Sequence, residues 1–350
     1  MMPPTFAVIL AGGSGTRLWP LTGGDNPKPF LPLFRGKSTF RLTYERIAPV
    51  SGPDRVLVVA GAAHRKWVRR QAPEVATDRI VLEEMGRNTA AAVATAALWI
   101  RSRCAEGVMV VLPSDHFVAP VGVFRSAIRD AARIAARSGA LLTIGIPARR
   151  PDTGFGYIRP VGRPVAPRVR RVSEFVEKPA AAAARRMVRS GRYDWNSGIF
   201  VWRSASILEE LGRHRPDILR PLESWARDRL TGAWTVPAAV LRRVPASPID
   251  KAVLERSSRT LVMRAPFRWS DLGNWAALGE ILPRDQLNNG GIGRTVAVDS
   301  SGCLGVNEAG LTVFVGVHDL IAVRSENTLL ICHREAAQQV RSVARHLPKR

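Results

Sequence analysis

Acidic residues are scarce in this 350-residue sequence: 29 Asp and Glu stand against 52 Lys and Arg, a formal net charge of +23. Cysteine is scarcer still. Cys104, Cys303 and Cys332 are odd in number, far apart and in no metal spacing, which excludes a disulfide framework and a Cys-based metal site. Long apolar runs are missing as well, so nothing approaches the length of a membrane span. The N-terminal stretch MMPPTFAVILAGG has no basic region before its apolar run, and glycine soon breaks that run, so it does not read as a signal peptide. A soluble, cytoplasmic protein with no membrane partner is expected. The shortage of acids has two readings. A basic surface binds nucleic acid or concentrates phosphorylated small ligands; alternatively, the arginine excess is compositional background. The arginines are scattered apart from a cluster at 163–171. No helix-turn-helix pattern or aromatic-interleaved basic stripe accompanies them, so no specific nucleic-acid partner is expected.

What is present is enough to bury a core. Apolar residues make up 46% of the chain, and its length suits one large domain or two ordinary ones. The first half alternates short apolar runs (6–10, 55–61, 79–84, 107–115, 141–148) with helical patterns at 39–47, 64–71, 89–101 and 123–137. Alternation of this kind implies an α/β fold, a Rossmann-like, mostly parallel sheet flanked by helices, with ligands beyond the carboxyl ends of the strands. Segment 168–179 reads as a strand ending in EKP, and 195–211 as loop, strand, then helix. Asp194, just before that loop, reads as a surface aspartate. After about residue 285 short β-rich runs take over. The expected organisation is therefore a domain at 1–285 and a small β-rich segment at 286–350 that ends in a helix near 335–347.

The sequence LAGGSGTRLWP at 10–20 follows the first apolar run. It is not a Walker A loop, which needs a lysine and a Ser/Thr after the last glycine. Nor is it the dinucleotide fingerprint, whose third glycine is absent. What remains is a loop in which Gly12, Gly13 and Gly15 let backbone amides approach phosphates, and Arg17 adds a permanently charged planar donor. A tight turn with no ligand is the plain alternative. Eight residues past Pro20, NPKPFLPL places Lys28 between two prolines that fix its backbone, a candidate second phosphate contact.

LAGGSGTRLWPLT followed by PKPFL resembles the signature of the sugar-1-phosphate nucleotidylyltransferases. Trp19 and GRNTA at 86–90 resemble the mannose-1-phosphate guanylyltransferase branch. LPSDH (112–116), TGFGYI (153–158), FVEKP (175–179), WNSGIF (195–200), SPIDKAVLE (247–255), WSDLGNW (269–275) and VGVHDLIAV (315–323) follow in the family's order and cover nearly the whole chain.

The resemblance implies transfer of GMP from GTP to mannose 1-phosphate, with pyrophosphate leaving. It implies Arg17, Lys28, Asp115 and Asp271 as catalytic, with Asp115 and Asp271 as Mg²⁺ ligands. Nucleotide contacts fall on Leu10, Ala11, Gly12, Gly13, Gly15, Thr16, Arg17, Glu83, Asn88 and Thr89. Sugar-phosphate contacts fall on Gly154, Gly156, Glu177, Lys178 and Asn196. A carboxylate at Glu83 can accept from guanine N1–H and the 2-amino group together. Asn88 and Thr89 equally suit the start of the helix that follows. If 175–179 were fully extended, Glu177 and Lys178 would point to opposite faces, so a local break before Pro179 is needed for both to reach one ligand.

Some positions depart from the family. Gly23-Gly24 follows PLT where an arginine is frequent, Pro29 replaces a glutamine, Glu84 and Ala91 stand where proline is common, and Phe155 replaces a frequent tyrosine. The first two weaken the case for tight nucleotide binding. Two rival readings remain: the same chemistry on another sugar phosphate or nucleotide, and a non-catalytic sugar-nucleotide-binding regulator. A homodimer is the expected assembly. Longer relatives carry an isomerase domain after this region; with the sequence ending at Arg350, that second activity is not expected.

Overall fold

The computed structural model describes residues 3–12, 16–23, 26–227, 229 and 232–346. The chain packs as two units. Residues 1–12, 41–114 and 118–269 form the first, and residues 13–40, 115–117 and 270–350 form the second.

The first unit is built on a ten-stranded sheet. Across it the strands run Thr235–Val236, Ile80–Glu83, Val56–Gly61, Thr5–Ala11, Val108–Pro113, Asp194–Arg203, Leu141–Pro147, Thr260–Arg264, Val169–Val176 and Tyr157–Ala166. The first five are mutually parallel. Asp194–Arg203 runs antiparallel to both of its neighbours, and the last two strands form an antiparallel hairpin. Residues 56–59 and 108–112 are buried without alternation, as strands covered on both faces require. The sheet is thus the mixed α/β sheet with flanking helices that the sequence implies.

Helix Asn88–Arg101 is buried all the way from Ala90 to Ile100. It packs against the sheet and against helices Ser204–His214 and Pro216–Ala226, so alanines on every side replace an amphipathic stripe. Helix Val121–Ser138 instead buries Phe124, Ala127, Ile128, Ala131 and Ala135 at three- and four-residue spacing. It stops at Gly139, whose φ of 63° suits glycine and whose amide donates to the Ala135 carbonyl.

Two expectations are corrected here. WNSG is not a loop: the strand begins at Asp194 and includes it. Gly198 has φ 71°, and the ladder to Leu141–Pro147 shifts register between Thr143 and Gly145. A bulge therefore accommodates turn-forming residues inside a strand. Asp194 is not a surface residue either. It is 1% exposed, and Arg264 donates to its Oδ1 through Nη2 at 2.8 Å and Nε at 3.2 Å.

The second unit carries a four-stranded sheet of Gly290–Val298, Leu304–Val315, Leu320–Ser325 and Thr328–His333. Its first three strands are parallel and the last is antiparallel. A 3-10 turn, Arg334–Gln339, precedes helix Val340–His346. The core gathers Leu18, Leu21, Leu31 and Leu33 with Leu272, Trp275, Leu278 and Leu282, and with Leu304, Val306, Ile321 and Val323. Segments 16–34 and 270–282 therefore fold around the β-rich segment rather than only preceding it. On the outside, Val296, Val298, Leu311, Val313 and Val315 are 45–63% exposed. The register pairs Val296 with Val313 and Val298 with Val315, which aligns them on one face. Among the described residues, no helix is long and apolar enough to cross a membrane.

Candidate active site

In the second unit three sequence-chosen residues meet. Pro27 and Pro29 fold Lys28–Phe30 into a single 3-10 turn. Phe30 packs on Phe40 at 5.0 Å between ring centroids, and Leu31 and Leu33 enter the core, so the turn is anchored on the apolar side. The buried Lys28 ammonium then donates to Asp115 Oδ2 at 2.7 Å and to the Asp271 main-chain carbonyl at 2.9 Å. Asp115 follows the Val108–Pro113 strand by two residues. Burial pushes its carboxyl upward, but the Lys28 charge, His116 (3.8 Å away) and the Lys28 hydrogen bond outweigh that and hold it below the usual range.

Asp271 is held by its own loop. Leu272 is buried with φ 49°, and the Gly273 amide donates to Asp271 Oδ1 at 3.1 Å. A Cβ at Gly273 would come 2.7 Å from Asp271 Oδ2, so only glycine leaves that carboxylate its place. Asn274 caps the next helix by accepting from the Ala277 amide, and the Trp275 indole donates to the Trp19 carbonyl at 2.9 Å. WSDLGNW and RLWP are thereby stitched together.

These residues suit a divalent cation. The two aspartates offer oxygen donors, and one or two carboxylates are what Mg²⁺ takes; Lys28 meets the carboxylate of Asp115 but only the main-chain carbonyl of Asp271. Arg17 lies on the 3-10 turn Thr16–Leu18 and is half-buried. Gly13, Gly15 and the side chain of Thr16 lie outside the described residues.

In the first unit, a Cβ at Gly12 would meet nothing within 4 Å. The Leu10 carbonyl accepts from the Ser114 amide, and the Ala11 carbonyl is 3.1 Å from His64 Nδ1. Glu83, the last residue of its strand, has a buried Oε1 with no hydrogen-bond partner among the described residues, and burial raises its carboxyl to about 7. Asn88 has φ 66° and accepts the Thr89 amide on its own side chain. Thr89 Oγ1 accepts from the Ile249 amide at 2.9 Å. GRNTA is thus tied to the segment that begins SPIDK, a structural task beside any ligand contact.

A second cluster of the first unit is polar, with Glu177, Asn196 and Asp250 buried and Lys178 exposed at its edge. Its strand ends at Val176, and Lys178 adopts φ 50°, the break that the EKP stretch needs. The Lys178 ammonium donates to Glu177 Oε1. The Asn196 Nδ2 group donates to Asp250 Oδ1 at 2.7 Å, and Asn196 Oδ1 accepts from the Thr143 hydroxyl at 3.0 Å. Asp250 is buried, and burial with the nearby Glu177 charge pushes its carboxyl up to about 7. Glu255 accepts the Glu177 amide at 2.8 Å. A Cβ at Gly156 would reach 2.7 Å from Glu177 Oε2, so glycine there keeps space beside the carboxylate. The Gly154 amide donates to Asp152 Oδ1. Such a cluster offers carboxylate acceptors and one ammonium to a hydroxyl-rich anion.

The sequence pattern of the nucleotidyl transferase family matches residues 6–286. The chain belongs to that family. A second pattern, the MannoseP isomerase/GMP-like beta-helix domain, matches residues 293–347. Alginate biosynthesis protein AlgA of Pseudomonas aeruginosa is 37% identical over 347 residues, covering 97% of this chain and 71% of that protein. The mannose-1-phosphate guanylyltransferase of Klebsiella pneumoniae is 35% identical over 349 residues, 97% of this chain and 73% of that one. A crystal structure described as mannose-1-phosphate geranyltransferase from Thermus thermophilus superposes with a TM-score of 0.88 at 34% identity, covering 98% of each chain.

In this nucleotidyl transferase the structure brings Lys28, Asp115 and Asp271 together, and Glu177, Lys178, Asn196 and Gly156 together. Asp250 and Glu255 were missed by the sequence reading, although both lie in SPIDKAVLE. The signal available was two acids five residues apart, with only Lys251 charged between them, which the π-helical turn Asp250–Leu254 presents with Asp250 buried.

Proposed function

We propose that this nucleotidyl transferase moves GMP from GTP to mannose 1-phosphate and releases pyrophosphate, in the cytoplasm and as a homodimer. The observation that carries the reading is the Lys28 ammonium bonded to the Asp115 carboxylate and to the Asp271 main-chain carbonyl, which gathers the two residues around one charge. Such a gathering is a place for triphosphate oxygens and a metal, and the relatives named mannose-1-phosphate guanylyltransferase supply the substrate class. Nucleotidyltransferases of this family generally use a divalent metal; we assign Mg²⁺ here. Asp115 and Asp271 would hold it, and when bound it supplies charge neutralisation on the phosphate oxygens.

A sugar-phosphate oxygen attacks the α-phosphorus, the bond to the β-phosphate oxygen breaks, and pyrophosphate departs. A phosphate monoester has its second pKa near ~6, so the nucleophile is already ionised and needs no general base. What the protein supplies is alignment and positive charge. Arg17, Lys28 and the amides of the loop at 10–16 meet the nucleotide phosphates. Lys178 meets the sugar phosphate, while Glu177 and Asn196 accept and donate to sugar hydroxyls beside Gly154 and Gly156. Glu83 reads guanine, with Asn88 and Thr89 nearby. Residues 1–285, which contain all of these, carry the transfer, and 286–350 supports it. The free thiols of Cys104, Cys303 and Cys332 suit a reducing compartment.

The test is pyrophosphate release across four nucleoside triphosphates and several sugar 1-phosphates with Mg²⁺. GTP with mannose 1-phosphate is expected among the best pairs. Another pair ahead by more than about tenfold, roughly 1.4 kcal/mol in the barrier, overturns the specificity, and no turnover with any pair overturns the enzyme reading.

A further inference from the structure

The first unit also contains a cavity of about 690 Å³ that includes none of the residues assigned above. It is lined by five arginines, Arg159, Arg168, Arg170, Arg192 and Arg264, and one acid, Asp194. Its volume is in the range of small-molecule pockets. The ladder explains why the guanidinium groups collect. Arg170 stands opposite Val262, and Val169, opposite Met263, is buried, so alternation turns Arg170 to the face opposite Val169; Arg168 lies in the turn just before that strand, with φ 63°. The Arg264 amide donates to the Arg168 carbonyl at 2.9 Å, which holds the two ends of that face together.

The charges are not balanced from within. Asp194 is buried and already spent on Arg264, with Nη2 at 2.8 Å. Among the described residues, no carboxylate lies within ion-pair distance of Arg168, Arg170 or Arg192. Like charges gathered without counter-charge raise the local potential and concentrate anions. Arginine is the side chain whose fork matches phosphate oxygens and which stays charged at any working pH. Pro160, Val161 and Pro164 line one side of this open cavity, and the two prolines hold their backbone fixed.

We propose that this cavity is a second binding site, separate from the reaction residues, for a small molecule carrying two or more linked phosphate groups. The probe is inorganic tripolyphosphate, titrated into the full chain by calorimetry at physiological ionic strength. The variant is Arg170→Ala with Arg192→Ala, two exposed side chains. The charge-matched control is Arg185→Ala with Arg186→Ala, on the exposed side of helix Ala181–Arg189. The expected result is two classes of site, one at the reaction residues and a second that weakens at least tenfold in the cavity variant, persists in the control, and returns with Arg170→Lys and Arg192→Lys. Transferase activity without the probe stays within about twofold in all of them. A single class of site in the unaltered protein, or equal weakening in variant and control, overturns the proposal, the second because it would reduce the effect to net charge alone.

Discussion

Lys28 Nζ lies 2.7 Å from Asp115 Oδ2. This single ion pair makes Asp115 a structural as well as a chemical group. Asp115→Asn keeps the size and removes the charge. The fall expected in kcat/KM is about 10²–10⁴-fold, or ~3–5 kcal/mol, the scale of losing one electrostatic stabiliser at a reacting phosphate. Because the substitution also removes the counter-charge of the largely buried Lys28 ammonium, stability should drop by about 1–3 kcal/mol. Asp194 is no control for this, being buried and paired. Asp130, half-buried on helix Val121–Ser138 beside Arg133, is. Steady-state kinetics over a Mg²⁺ titration and melting curves for Asp115→Asn and Asp130→Asn decide it. Unchanged Mg²⁺ dependence in Asp115→Asn removes that residue from the metal site.

A second expectation concerns the space beside Glu177. Gly156→Ala puts a methyl group 2.7 Å from Glu177 Oε2 and 3.3 Å from Asn196 Cβ. The carboxylate has to move, and the group that accepts from sugar hydroxyls moves with it. KM for mannose 1-phosphate should rise by about tenfold, roughly 1.4 kcal/mol, while KM for GTP stays within about twofold. Equal rises in both constants would show a general distortion instead.

These two sites differ in how far the sequence revealed them. LPSDH ends a short apolar run, so Asp115 was legible as a strand-end carboxylate, as was Lys28 between its prolines; Asp271 was reached only through the family resemblance of WSDLGNW. The bond of one lysine to both aspartates was not, because positions 28, 115 and 271 are brought together by a core that periodicity does not show. Leu18, Leu31, Trp275 and Val306 share that core, yet local pattern reads them as parts of separate elements. The WNSG stretch failed for another reason. Asn, Ser and Gly signal a turn, and here a bulge absorbs the turn chemistry inside a buried strand. Asp194 followed the same error, since a residue next to a presumed loop reads as exposed. The break at Lys178 was legible because extended backbone cannot aim neighbouring side chains at one ligand.

The proposed homodimer leads to a third expectation. Five aliphatic side chains in register on one exposed face form an uncommon surface for a chain of this charge. If copies meet there, Val313→Lys with Val296→Lys should shift the protein to monomer in sedimentation velocity at micromolar concentration. The melting temperature of the unaltered protein should rise with protein concentration and that of the variant should not, because a partner that binds only the folded chain stabilises it. A dimer of undiminished affinity in that variant places the contact elsewhere.

Glu83 gives the last prediction, and its sign can be worked out. Burial raises its carboxyl to about 7, and its Oε1 is without a partner among the described residues. Guanine offers two donors, so only the ionised carboxylate can accept both. GTP binding should therefore strengthen as pH rises from 6 to 8, by about tenfold for a group titrating near 7. Glu83→Gln stays neutral and should lose that part of the pH dependence, keeping only what the triphosphate itself contributes. Its preference for GTP over ATP should fall at pH 8. Stability runs the other way. A carboxyl that folding raises from about 4.5 to about 7 stabilises the fold while protonated, and that contribution is lost as pH climbs through 7. Relative to Glu83→Gln, the unaltered protein should melt progressively lower between pH 5 and pH 8. Isothermal titration with GTP and melting curves, both at pH 6 and pH 8, make the comparison. A GTP affinity whose pH slope is identical in the two proteins removes Glu83 from base recognition. A melting difference that does not change with pH removes the buried, protonated carboxyl.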